Sequence, residues 1–210
     1  MAAKRTPPPL SSVHQSRGRQ QRLLRIIAGA WRGRKFRFPE LDIRPTPDRV
    51  RETVFNWLQG RIEGAHCLDL YAGSGALGLE ALSRGAASVV FVEHQRAAVN
   101  ALRDLLRDWQ AGNATVVRDE ALHYLGALRA AAPAAADGGR GFDLVFLDPP
   151  YASGELPAAA AALARGGLAP DARVYVEQRA DLGLSRALPA AWRELRTGKA
   201  GEVRYHLFAA

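Results

Sequence analysis

Two consecutive prolines stand between an acid and an aromatic ring in Asp148-Pro149-Pro150-Tyr151, and that order narrows the chemistry available there. Each proline fixes its φ angle and removes an N–H donor, so the segment presents carbonyl acceptors. Asp148 and the Pro149 carbonyl can together accept both hydrogens of an exocyclic –NH2 group. That pairing draws the nitrogen lone pair out of conjugation with its ring and aims it at an electrophilic methyl. Tyr151 offers a surface on which a base extruded from its helix can stack. The amine needs no strong base beforehand, because its proton becomes acidic only as the new bond forms, and in-line positioning supplies most of the rate. A rigid turn after a buried strand would use the same residues, so the decision rests on what accompanies them.

A second group lies in Cys67–Leu82, CLDLYAGSGALGLEAL. Apolar Leu68, Leu70 and Tyr71 run into a glycine turn, and a helical pattern (Leu77, Leu79, Leu82) follows at once. A strand turning sharply into a helix aims free N–H groups and a positive dipole end at whatever docks there. Glycines at 73 and 75 let a ligand approach the backbone closely. With Gly78 they satisfy G-x-G-x-x-G, a weak fingerprint on its own that fits NAD, S-adenosylmethionine or a plain tight turn. Asp69 and Tyr71 sit at the end of this strand as further cofactor-binding candidates. Glu93 ends the next strand, 20 residues after Gly73, and suits a ribose diol; Asp119 ends the third and suits an adenine amino group.

These residues converge only if the strands that carry them lie side by side. Apolar runs at 66–71, 87–92, 114–117, 142–147 and 172–177 read as strands, with helices at about 76–84, 95–109, 120–130 and 155–165. Val99, Leu102, Leu106 and Trp109 mark the core face of the second of these helices. The alternation predicts an α/β protein with a doubly wound parallel sheet, whose ligands bind at the carboxyl ends of the strands. Trp192–Arg196 and Val203–Phe208 flank Thr197–Gly201 and predict an antiparallel hairpin on the sheet edge. Further upstream, Thr46 before Pro47 reads as the N-cap of a helix with Val50, Val54, Trp57 and Leu58 on its apolar stripe.

The charge is divided unevenly. The chain carries +8 in all, but residues 1–51 hold 13 Lys and Arg against three acids, and the remainder is slightly acidic. A basic arm on an acidic domain indicates a polyanionic partner. Residues 1–21 are too polar to fold and are expected to be a disordered basic tail. Residues 22–43 are expected to form a basic hairpin, in which Arg25, Arg32, Arg34, Lys35 and Arg37 contact phosphates while Trp31 and Phe36 offer stacking surfaces. Arg49 extends that patch. Residues 44–210 form the remaining domain. No run of about 18 apolar residues exists to cross a membrane. Cys67 is the single cysteine and cannot form an internal disulfide, which fits a reduced, cytoplasmic protein. The five histidines show no metal-ligand spacing.

Three stretches together carry a family resemblance. They are Arg25-Ile-Ile-Ala-Gly-x-x-Arg32-Gly-Arg34, Arg44-Pro-Thr-x-Asp48-Arg49-Val-Arg51-Glu52 with Phe55-Asn56-Trp57-Leu58, and Leu68 to Ala86. With Asp148–Tyr151 they resemble the bacterial 16S ribosomal RNA guanine-N2 methyltransferases of the RsmD type, over about residues 22–208. The resemblance implies a seven-stranded Rossmann-like methyltransferase sheet behind an N-terminal hairpin and S-adenosylmethionine as cofactor. It implies a guanine of 16S rRNA as target, within the small subunit or its assembly intermediate. Separately, a monomeric enzyme is expected. Carried over by position, Asp69, Gly73, Gly75, Glu93 and Asp119 hold the cofactor, and Asp148, Pro149 and Tyr151 the guanine amine. Ala28 departs from the family pattern, where glycine is expected. Three alternatives stay open at this point: adenine-N6 or cytosine-N4 methylation, an NAD-dependent oxidoreductase, and a non-catalytic RNA-binding assembly factor.

Overall fold

The protein is described from a computed structural model, which covers residues 21–39, 46–131, 141–182 and 188–210. The expected tail at 1–21 (all but Gln21), Arg44 and the 132–140 loop lie outside the described residues.

The chain opens with an antiparallel hairpin, β1 (Gln21–Arg25) and β2 (Lys35–Pro39). Helix α1 (Asp48–Trp57) follows. Strands and helices then alternate: β3 (His66–Asp69), α2 (Ala76–Ser83), β4 (Ser88–Glu93), α3 (Arg96–Asp108), β5 (Ala114–Arg118), α4 (Ala121–Ala131), β6 (Phe142–Leu147), α5 (Leu156–Ala164) and β7 (Leu168–Arg179). The chain closes with β8 (Arg193–Ala200) and β9 (Val203–Ala209).

The seven later strands form one sheet in the order β5-β4-β3-β6-β7-β9-β8, parallel except where β9 runs antiparallel between β7 and β8. Strand residues alternate between two apolar layers. Cys67, Leu144, Phe146 and Tyr175 pack with α1, α2 and α3, while Leu68, Val145, Leu147 and Val176 pack with α4 and α5. The winding reverses between β3 and β6, whose chain neighbours lie on opposite sides of the sheet. A crevice opens at such a point beyond the carboxyl ends of the strands.

The hairpin belongs to the first apolar layer. On β2, Phe36 and Phe38 are buried and Lys35 and Arg37 exposed, so one face is cationic as the alternation predicted. The aromatic residues differ from expectation. Phe36 is buried and meets Trp109 edge-on at 5.9 Å, and half-buried Trp31 meets the same ring at 5.0 Å. Burial against α3 stabilises the arm more than exposed rings would, so Phe36 is core and offers no stacking surface to a nucleic acid.

Two other local expectations change. Thr46 does not cap α1: the cap position is Pro47, with no side-chain cap bond, and the Thr46 hydroxyl donates instead to Glu177 Oε2 at 3.2 Å. The C-terminal hairpin turns at 201–202 rather than over 197–201. Gly198 lies within β8, where an added Cβ would come within 2.4 Å of the Tyr205 ring, so glycine serves close packing there. The turn itself uses Gly201, at φ +60°.

Candidate active site

At the end of β3 the chain turns through Gly73 (φ +51°) and Gly75 (φ +73°) into α2. The left-handed backbone explains both glycines. Gly78 has a different reason: inside α2, its Cβ would meet the fully buried Phe91 ring at 2.2 Å. The three glycines of the fingerprint therefore serve turn, turn and helix–strand packing.

Carboxylates hold this loop. Asp69 Oδ2 accepts from the Gly78 N–H at 3.0 Å, tying the strand end to the first turn of α2. Burial pushes the Asp69 carboxyl up to about 7, against the pull of the Gly78 N–H and with a further push from Glu93. Glu93 Oε2 accepts from the Gly73 N–H at 2.9 Å and Oε1 from the Gln95 N–H at 2.6 Å. Each of its oxygens keeps a second lone pair for a ribose hydroxyl. Asp119 follows β5, accepts from the Glu120 N–H at 2.9 Å and lies 2.8 Å from His123 Nδ1. Tyr71 donates to Glu155 Oε2 at 2.9 Å, joining the end of β3 to the start of α5.

Asp148 leaves β6, the strand beside β3. Burial, with the nearby carboxylates of Glu177 and Asp69, raises its pKa well above the ordinary carboxylate range. Glu177, on β7, is 3% exposed and gathers three hydroxyl donors. Tyr151 donates to Oε1 at 3.0 Å, and Tyr175 and Thr46 donate to Oε2 at 2.8 and 3.2 Å. The Tyr151 ring is thus anchored at its hydroxyl.

One cavity of about 340 Å³ collects these groups. Its walls include Asp69, Tyr71, Gly73, Glu93, Asp119 and the whole of Asp148–Tyr151, from four strand ends in register. Gly75 is not among the lining residues and contributes through the left-handed turn of the loop. Thr46, His94, Gln95, Glu120 and Glu155 also reach the cavity. Among the described lining residues there are six carboxylates and no lysine or arginine. The basic residues of the arm lie elsewhere. Arg32, Arg34, Lys35, Arg37 and Arg49 are exposed, Arg34 sits over the Trp109 ring at 5.5 Å, and Arg25 pairs with Asp48 at 2.9 Å. Burial pushes the Cys67 thiol up to about 12, which leaves it unreactive.

Sequence reasoning missed two buried acids. Glu177 had no assigned role, although a glutamate closing the apolar run Val174-Tyr175-Val176 signals a partnered charge. Glu80 is the sole charge in α2, whose eight residues are all buried. Its oxygens accept from the Ile27 and Ala28 N–H groups at 2.8 and 3.0 Å, and from Arg84 Nε at 2.7 Å. Ser83 adds bonds to the Ala28 carbonyl and the Trp31 N–H. The turn of the basic hairpin is thereby fastened to the helix that carries the glycine loop. Ala28 is absent from the positive-φ positions, so alanine fits where the family pattern has glycine.

This mixed sheet, with a glycine loop after its first strand and an acidic crevice at the winding reversal, defines the seven-stranded methyltransferase class. The family described as Conserved hypothetical protein 95 matches residues 24–209. The ribosomal RNA small subunit methyltransferase D of Escherichia coli (strain K12) is 45% identical over 187 residues, which are 88% of this chain and 89% of that protein. The protein of the same name from Haemophilus influenzae is 39% identical over 191 residues, covering 88% and 93%. The solved structure of yhhF from Escherichia coli superposes with a TM-score of 0.77 at 44% identity, over 89% of this chain and 97% of that one. The chain belongs to this family and is an RsmD-type methyltransferase.

Proposed function

We propose that the protein transfers a methyl group from S-adenosylmethionine to the exocyclic N2 amine of one guanine in 16S rRNA. The observation that carries the cofactor assignment is the sign of the cavity: six carboxylates and no lysine or arginine among its described walls. Such a wall favours a cationic ligand and opposes a pyrophosphate, so it speaks for a sulfonium cofactor and against NAD. When bound, that cofactor supplies an electrophilic methyl on sulfur. Glu93 would hold its ribose, Asp119 its adenine amine, and the Gly73–Gly75 turn would let it approach the backbone.

Asp148 and the Pro149 carbonyl orient the target amine, and the Tyr151 ring supports the base. Asp148 would take the proton that the amine sheds as it accepts the methyl group supplied by the cofactor. The relatives' name supports ribosomal RNA of the small subunit as substrate, and the arm supplies a surface for it. We assign residues 22–43 to RNA contact and 44–210 to catalysis, in a monomeric cytoplasmic enzyme acting on the small subunit or its precursor. Tritiated S-adenosylmethionine with small subunits should leave label in 16S rRNA, and calorimetric titration should detect S-adenosylhomocysteine binding but not NAD binding. Tight NAD binding would overturn the cofactor assignment.

Three further results are expected. Asp148 must be ionised to take the proton the amine sheds, so kcat/KM should rise with pH through an acid limb above the ordinary carboxylate range of about 4. Asp69 and Asp148 bind a proton more tightly folded than unfolded. The ligand-free protein should therefore lose stability as pH rises from about 4 toward 7, measurable by urea titration. In the arm, Arg32→Ala with Arg34→Ala should weaken RNA binding and reduce the salt slope by about 0.7–0.9 per lost phosphate contact. Affinity for S-adenosylhomocysteine should stay constant. An equal fall in both affinities would place the hairpin in the cofactor site.

A further inference from the structure

The cavity that Asp148 lines is also lined by Pro149, Pro150, Thr46 and Tyr151. Pro149 and Pro150 have no N–H to give. Thr46 and Tyr151 line the same cavity, and both commit their hydroxyl protons to one buried carboxylate, Glu177. A hydroxyl whose proton is committed offers only lone pairs to a third group. Tyr175 donates to Glu177 as well, from within the core. With three hydroxyls donating to it, Glu177 is the common acceptor of the cluster, and the hydroxyls of Thr46 and Tyr151 turn their lone pairs away from it.

Nucleobase amines differ in what stands next to them. The guanine N2 amine is followed along its edge by N1–H, a donor. The adenine N6 amine and the cytosine N4 amine are each followed by a ring nitrogen that accepts. An acceptor beside the amine slot pairs with guanine and confronts a lone pair in the other two bases. We propose that Thr46 and Glu177 form a polarity filter selecting guanine, in which Glu177 holds the Thr46 hydroxyl as an acceptor for the guanine N1–H. Thr46 is the specificity-determining residue and Glu177 the positioning residue behind it. The filter rests on the exocyclic-amine reading of Asp148 given above. A site built to accept from a substrate N–H strongly rejects the analogue that lacks it, because a buried polar group is left unpaired.

The test uses small subunits reconstituted with guanosine or 2-aminopurine riboside at the target position. 2-Aminopurine keeps the 2-amine but has a bare, accepting N1. The wild-type enzyme should make N2-methylguanosine and show kcat/KM roughly 10–100-fold lower for 2-aminopurine. Thr46→Val should bring that ratio to within about threefold, mostly by losing activity on guanosine, with S-adenosylhomocysteine affinity retained as evidence of an intact fold. Thr46→Ser restores the hydroxyl and should restore the ratio. Glu177→Gln adds an amide donor that can reverse the hydroxyl, and should also narrow the ratio. A wild-type ratio near one, or an unchanged ratio in Thr46→Val, overturns the filter while leaving the reaction in place. Absence of N2-methylguanosine from the wild-type reaction overturns the underlying reading of the reaction together with the filter.

Discussion

Asp148→Ala is expected to lower methyl transfer by about 10²–10⁴-fold while S-adenosylhomocysteine binding changes little. The magnitude follows from the bonds lost. Each charge-assisted hydrogen bond contributes about 1.5–3 kcal/mol. Removing the carboxylate leaves the Pro149 carbonyl as the remaining acceptor in the amine slot and also removes the proton acceptor for the departing hydrogen. The combined loss of about 3–5 kcal/mol in the transition state gives that range of rates. Cofactor affinity rests on the glycine loop, Glu93 and Asp119, on other strand ends, so it should persist. Single-turnover transfer with cofactor held at saturation separates the two effects. Wild-type transfer by Asp148→Ala would exclude Asp148 from the chemistry and favour a non-catalytic role for the intact Pro-Pro-Tyr segment.

The largest expected effect on stability falls on Glu80→Ala. This carboxylate is fully buried and receives two backbone N–H groups of the hairpin turn together with Arg84. Arg84 is 17% exposed, so removal of its partner strands a largely buried cation. Breaking such a pair costs about 3–5 kcal/mol, and the orphaned N–H groups add to that. For a chain of this length each kcal/mol lowers Tm by about 2–4 °C, so a fall of about 10 °C or more is expected in a thermal scan. Glu80→Gln keeps one carbonyl acceptor and should fall between the two. RNA affinity should decline along with stability, because the same bonds fasten the arm to α2. An unchanged Tm in Glu80→Ala would mean that the hairpin docks through Phe36 and Trp31 alone.

What was legible in the sequence was local in the chain. Strand, glycine turn and helix follow one another within Cys67–Leu82, and each acid at a strand end is announced by the apolar run before it. The alternation of these units was enough to predict the sheet and to place Asp69, Glu93, Asp119 and Asp148 at its carboxyl edge. The illegible contacts join residues far apart in the chain. Thr46 reads as a helix cap because its neighbour is Pro47, yet its hydroxyl reaches Glu177, 131 positions away. Glu80 serves backbone donors 52 and 53 positions upstream. Phe36 looked available for stacking because nothing in β2 reveals that Trp109 waits at the end of α3. Gly198 looked like a turn residue because Thr197-Gly-Lys-Ala-Gly201 has turn composition, and only the packed Tyr205 ring explains it. Pattern identifies the face of an element, and tertiary neighbours decide what that face meets.

Methylation of the guanine N2 amine in small-subunit RNA, the reaction proposed for the acidic crevice, is tested most directly with small subunits from cells that lack this protein, incubated with the pure enzyme and methyl-labelled S-adenosylmethionine. The RNA is then digested to nucleosides and analysed by mass spectrometry. Labelled N2-methylguanosine at a single site is the expected result. Labelled methyladenosine or methylcytidine would contradict the assigned base, and the absence of any labelled nucleoside would contradict the assigned reaction.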